Sequence, residues 1–92
     1  MNKSGMFTFS EAIRYLKEGK KVARKGWNGK GMYLFLVDGE KLTSSLSVGN
    51  LRCTTSVCMK TAQNTITVGW NASQADMLAD DWTISEKECS NE

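Results

Sequence analysis

The chain has no histidine and no proline, and its 92 residues contain no long apolar run. Without histidine the commonest general base is missing, and with it any Ser-His or Cys-His nucleophile pair. The three cysteines, Cys53, Cys58 and Cys89, are odd in number and match neither a zinc pair nor a redox Cys-x-x-Cys. They read as free thiols of a reducing compartment. No segment approaches the ~18 apolar residues that a membrane span needs, so no membrane partner is expected. Met1-Asn2-Lys3-Ser4-Gly5 is not followed by an apolar signal core, which points to the cytoplasm. With no repeat, low-complexity segment or proline, nothing marks a linker, and residues 1–92 read as one domain. Its folded core is expected over 7–85, with a charged, frayed tail at 86–92.

Catalytic motifs are equally scarce. Asp80-Asp81 is an adjacent pair whose side chains tend to point apart, so a helix cap or solvated turn explains it better than a carboxylate dyad. Gly26-x-x-Gly29-x-Gly31 lacks the Lys-Ser/Thr ending of a P-loop and the Rossmann spacing. The expectation is a binder, with no catalytic residue, no metal and no cofactor. A hydrophobic fraction of 40% gives a core, but a thin one, and small domains often bury more by assembling.

Charge is present but unevenly placed. Residues 14–30 carry Arg14, Lys17, Lys20, Lys21, Arg24, Lys25 and Lys30 against Glu18, whereas 71–92 carry Asp76, Asp80, Asp81, Glu86, Glu88 and Glu92 against Lys87. The basic stretch could attract phosphates, or simply form a solvated helix face and a lysine-protected edge strand. A net charge of +2 and a pI near 8.5 are too mild for a general nucleic-acid binder.

The periodicity gives an α+β fold. Thr8-Phe9-Ser10-Glu11 is a capping box, and Phe9, Ala12, Ile13 and Leu16 follow on one helical face, so a helix is expected over 9–18 with Gly19 at its C′ position. Val22-Ala23-Arg24 is a short strand, and Met32–Val37 is the strongest and most central one. Asp38-Gly39 signals a turn. Residues 40–56, with scattered Leu42, Leu46, Val48 and Leu51, read as a long loop holding at most a helical turn. A hairpin over 57–70 turns at Gln63-Asn64, Ser73 caps a short helix with Asp76 at N3, and Trp82-Thr83-Ile84 closes the order as a strand. The architecture is one antiparallel β-sheet with the N-terminal helix packed on one face and a short helix near the C-terminus.

The binding features are two Trp-Asn pairs, Trp27-Asn28 in a glycine-rich turn and Trp70-Asn71 after a strand. An indole offers a stacking face, and the adjacent amide offers donors and acceptors. Trp27 reads either as an exposed turn residue or as a ring folded back over the core. Trp70 could serve ligand or core, and Trp82 belongs to the core. Asn28, Asn71 and Gln74 could read base or ribose edges or serve turns and caps; Asp76 could accept from a ribose hydroxyl or adenine amine, or cap its helix. Lys25 and Lys30 flank Trp27 and could meet a pyrophosphate.

These blocks carry a resemblance. Phe9-x-Glu11-Ala12, Lys20-x-Val22-Ala23-Arg24-Lys25-Gly26-Trp27-Asn28-Gly29-Lys30-Gly31-Met32-Tyr33-Leu34, Met59-Lys60-Thr61-Ala62 and Trp70-x-Ala72-Ser73-Gln74-x-Asp76-Met77-Leu78-Ala79-x-Asp81-Trp82 run collinearly over most of 7–85. They resemble the second type of phage Thoeris anti-defence protein. The chain departs from that pattern at Gly69, where relatives often carry proline, and at Cys58, where they often carry an acid. The resemblance implies a molecular sponge in the bacterial host cytoplasm. It would bind a cyclic ADP-ribose isomer, such as glyco-cyclic ADP-ribose made by TIR proteins, without cleaving it. It implies a homotetramer with pockets at protomer interfaces, and in some relatives sites for cyclic di- or trinucleotides. By position, Trp27 and Trp70 become packing groups for base or sugar, and Lys25, Asn28, Asn71, Gln74 and Asp76 become polar contacts. Read on the residues alone, two alternatives stand beside the sponge: a nucleotide-cleaving enzyme with a carboxylate base such as Asp76 or Asp81, and a protein- or nucleic-acid-binding module using 14–30.

Overall fold

The computed structural model describes residues 5–27, 30–46 and 49–85. Helix α1 spans Phe9–Lys17, where the sequence puts it. The Thr8 side chain accepts from the Glu11 N–H at 3.4 Å, one arm of the expected box. At the other end the Gly19 and Lys20 amides bond back to the Leu16 and Tyr15 carbonyls.

Five strands follow: β1 (Val22–Arg24), β2 (Tyr33–Val37), β3 (Ser56–Lys60), β4 (Ile66–Val68) and β5 (Trp82–Ile84). They form one sheet in the order β4-β3-β2-β1-β5, with every neighbour antiparallel. The apolar run of β2 takes the centre, as its two-sided hydrophobicity requires. The β3–β4 connection bonds Thr61 N–H to the Thr65 carbonyl, and Asn64 accepts a positive φ of 65°. Asparagine is among the residues that tolerate that conformation best.

Register sorts the two faces of the sheet. Val22 lies opposite Leu34 and Ile84, and Leu34 opposite Met59, so these share a face with Arg24 and Trp82. Helix α1 covers that face: Ala12 and Leu16 pack with Val22, Leu34 and Trp82, all essentially excluded from water. Each fully buried large side chain contributes roughly 1.5–3 kcal/mol. The opposite face carries Tyr33, Phe35, Cys58, Lys60, Ile66 and Val68. Cys53 and Cys58 are free thiols; Cys89 and the rest of the 86–92 tail lie outside the described residues.

The stretch expected to be a loop contains a helix. Helix α2 spans Gly39–Leu46, an eight-residue element. Asp38, read as half of a turn, starts it: its carbonyl accepts from the Lys41 and Leu42 amides, and its carboxylate from Glu40 N–H at 3.4 Å. Gly39 is required by packing, because a Cβ there would collide with the Cys53 carbonyl and come within 2.8 Å of the Thr55 nitrogen. The Thr43 hydroxyl then donates to the Gly39 carbonyl and accepts from Cys53 N–H, tying the following segment to the helix.

Candidate ligand site

The last helix, α3 (Gln74–Leu78), forms as predicted, with a reciprocal capping box. The Ser73 hydroxyl accepts from Asp76 N–H at 3.1 Å, and the Asp76 carboxylate accepts from Ser73 N–H at 3.0 Å. A residue that caps a helix is fixed in place, and Asp76 is used further. Its Oδ1 accepts from Arg24 Nη1 at 2.9 Å and from the Trp27 indole N–H at 3.3 Å. Its backbone carbonyl accepts from the Trp82 indole N–H at 3.0 Å.

Arg24, at the end of β1, bridges two acids. Its Nε donates to Asp81 Oδ1 at 2.9 Å while Nη1 reaches Asp76. Asp81 is therefore neither a helix cap nor a solvated turn residue; Asp80 beside it is exposed. The other Asp81 oxygen accepts from Gly26 N–H at 2.8 Å, and its carbonyl accepts from Lys25 N–H at 3.0 Å. A Cβ at 26 would lie 2.9 Å from that carboxylate and would have to displace it. Both Arg24 and the turn that carries Trp27 are thus fixed by the segment entering β5.

Charge and burial act in opposition here. Burial pushes the Asp76 carboxyl up, but the Ser73 and Arg24 hydrogen bonds, with that from Trp27, hold it below the usual carboxylate range. Burial likewise pushes Asp81 up, and Arg24 and the Gly26 amide hold it down. The Arg24 guanidinium is raised by its bonds to Asp81 and Asp76. All three are ionised at neutral pH, and a carboxylate kept this acidic is a weak proton acceptor.

The three tryptophans converge above this network. Ring centroids lie 5.4 Å apart for Trp27–Trp82 and 6.3 Å for Trp27–Trp70 and Trp70–Trp82, all edge-on. Trp82 is wholly buried, as expected, whereas Trp27 and Trp70 are half-buried and pack against the core. Trp27 is thus folded partly onto the core while keeping accessible surface. The Gly69 and Trp70 amides both bond the Val57 carbonyl, which sets Trp70 at the end of the hairpin.

The structure brings Trp27, Trp70 and Asp76 together within one chain. Asn71, Gln74, Lys25 and Lys30 are exposed; Gln74 opens α3. Lys25 instead lines an open cleft of about 670 Å³ with Phe7, Glu11, Tyr15, Thr83 and Ile84, a set that includes none of the three tryptophans. Asn28 lies outside the described residues. Arg24 is the residue that sequence reasoning passed over. The signal was its inward register, two residues from the apolar Val22, which calls for an acid partner.

The fold and this cluster define a small single-sheet α+β domain with a hydrogen-bonded aromatic-ionic cluster, and no helix among the described residues is long and apolar enough to cross a membrane. The family model of the Thoeris anti-defense 2-like domain matches residues 7–85. The chain is also 41% identical over 88 residues to a protein named Thoeris anti-defense 2 from Bacillus phage SP01, covering 84% of this chain and 92% of that one. The chain belongs to the Thoeris anti-defense 2-like family, whose name denotes an anti-defence role.

Proposed function

We propose that this protein is an anti-defence sponge. It binds a cyclic ADP-ribose isomer of the kind made by TIR proteins and sequesters it intact, so that the defence effector is not triggered. The observation that carries this reading is Trp27, half-buried on a glycine-flanked turn with its N–H bonded to Asp76 and its ring backed by Trp82. A ring held in that way presents π-surface to a base or sugar. Trp70, Asn71 and Gln74 lie along the same stretch of chain, and Lys30 is an exposed cation for the diphosphate, with Lys25, which faces the neighbouring cleft, joined to it by motif. Asn28 completes the set by motif.

Binding without turnover fits the acidity of the two carboxylates, which makes Asp76 and Asp81 poor general bases. A homotetramer fits the sheet: Ile66 and Val68 project from the edge strand β4 and remain more than half exposed. Such surface is commonly covered by another chain. Cyclic di- or trinucleotides are further candidate ligands, and the host cytoplasm is the place of action.

Incubation with a cyclic ADP-ribose isomer followed by heat denaturation releases the same isomer intact. Recovery of a cleaved product would move the assignment to a nucleotide-cleaving enzyme. A thermal shift is the companion measurement, since ligand at ~100 times its dissociation constant adds ~2.7 kcal/mol to stability.

A further inference from the structure

The indole of Trp27 makes two kinds of contact. Its edge-on packing with Trp82 and Trp70 fixes which side of the ring faces the core. Such packing is broad in angle and does not by itself tie the N–H edge to one atom. The bond from its N–H to Asp76 Oδ1 supplies that tie. That same oxygen is held by Arg24 Nη1. Arg24 in turn cannot drift, since its Nε is tied to Asp81, which also holds the Gly26 amide one residue before Trp27. Orientation therefore passes from Arg24 to Asp76 to the indole, and from Arg24 through Asp81 to the backbone of the turn.

We infer that Arg24 is a positioning residue of the ligand site: it sets the direction of the Trp27 N–H edge through Asp76 and touches no ligand itself. The inference rests on the reading of Trp27 as a packing group for the cyclic nucleotide. It also assigns Asp76 a first duty other than ligand contact, because Oδ1 already serves Arg24 and Trp27 and Oδ2 serves Ser73.

The test uses Arg24→Gln in the full chain, read well below its melting temperature. In the ¹H–¹⁵N spectrum the Trp27 indole N–H moves from its wild-type position and exchanges faster with solvent. Affinity for a cyclic ADP-ribose isomer falls by about tenfold or more, the scale of losing a charge-assisted hydrogen bond. In a Trp27→Ala background, Arg24→Gln costs little further affinity, because the ring it positions is gone. An unmoved indole resonance in Arg24→Gln would overturn the inference. So would an equal loss of affinity with and without Trp27, which would make Arg24 a direct ligand contact. Should the wild-type protein bind no cyclic nucleotide, the proposed function fails. The indole resonance then still decides whether Arg24 holds the ring.

Discussion

The two ends of the sheet are built to opposite rules. At the β1–β5 end, Arg24 lies between Asp76 and Asp81, three indoles meet, and the Phe7 backbone pairs with Trp82 beyond the edge. Among the described residues no buried side-chain nitrogen or oxygen lacks a partner. At the β4 end every strand residue is exposed, with Ile66 and Val68 facing outward. The first end is closed by bonds within one chain; the second leaves apolar side chains exposed. One sheet therefore carries an internally bonded aromatic-ionic cluster at one end and an exposed apolar edge at the other.

The comparison breaks most completely at Trp82. Trp82→Ala removes the largest buried side chain and the partner of the Asp76 carbonyl, and is expected to cost about 3–5 kcal/mol, enough to unfold much of the population in a chemical denaturation curve. Arg24→Met strips two carboxylates of their counter-ion. We expect about 1–3 kcal/mol, less than for a fully buried pair because these side chains keep 12% to 26% of their surface exposed.

The same end of the sheet carries an acid limit. Asp76 and Asp81 have folded-state acidities stronger than their unfolded value of ~3.9. Their contribution is thus complete above about pH 4 and is lost as pH falls through the lower folded values. Melting temperature should drop below about pH 4, and the drop should shrink in an Asp76→Asn/Asp81→Asn variant. Ser73→Ala, which removes the α3 cap, is expected to cost ~1 kcal/mol and to raise hydrogen exchange in Gln74–Leu78. The smallest effect on folding lies at the other end. Val68→Lys should change protomer stability by no more than ~0.5 kcal/mol, yet lower the assembled mass seen by light scattering. An unchanged mass would remove β4 from the assembly surface.

What the sequence showed depended on how local the signal was. Helix α1 was legible because a cap and a 3.6-residue stripe coincide within nine residues. Helix α3 was legible because Ser73 and Asp76 form a spaced pair. Helix α2 was not, since only Leu42 and Leu46 suggest a face and Gly39 argues for a turn until the Cys53–Thr55 backbone is seen against it. The ionic bridge was hidden for a different reason: Arg24 reaches acids 52 and 57 residues away, where no local pattern can point. Trp27 and Trp70 lie side by side, but what they pack on, the buried Trp82, and what holds Trp27, the carboxylate of Asp76, emerged only from the fold.

The clustered indoles have an optical consequence. Chromophores this close, and turned 63° to 84° from one another, couple their electronic transitions instead of absorbing independently. Trp27, Trp70 and Trp82 are the chain's only tryptophans, so its near-ultraviolet dichroism is dominated by this one spot. A ligand sliding against Trp27 would rewrite that spectrum, giving the protein a built-in, label-free reporter of its own occupancy.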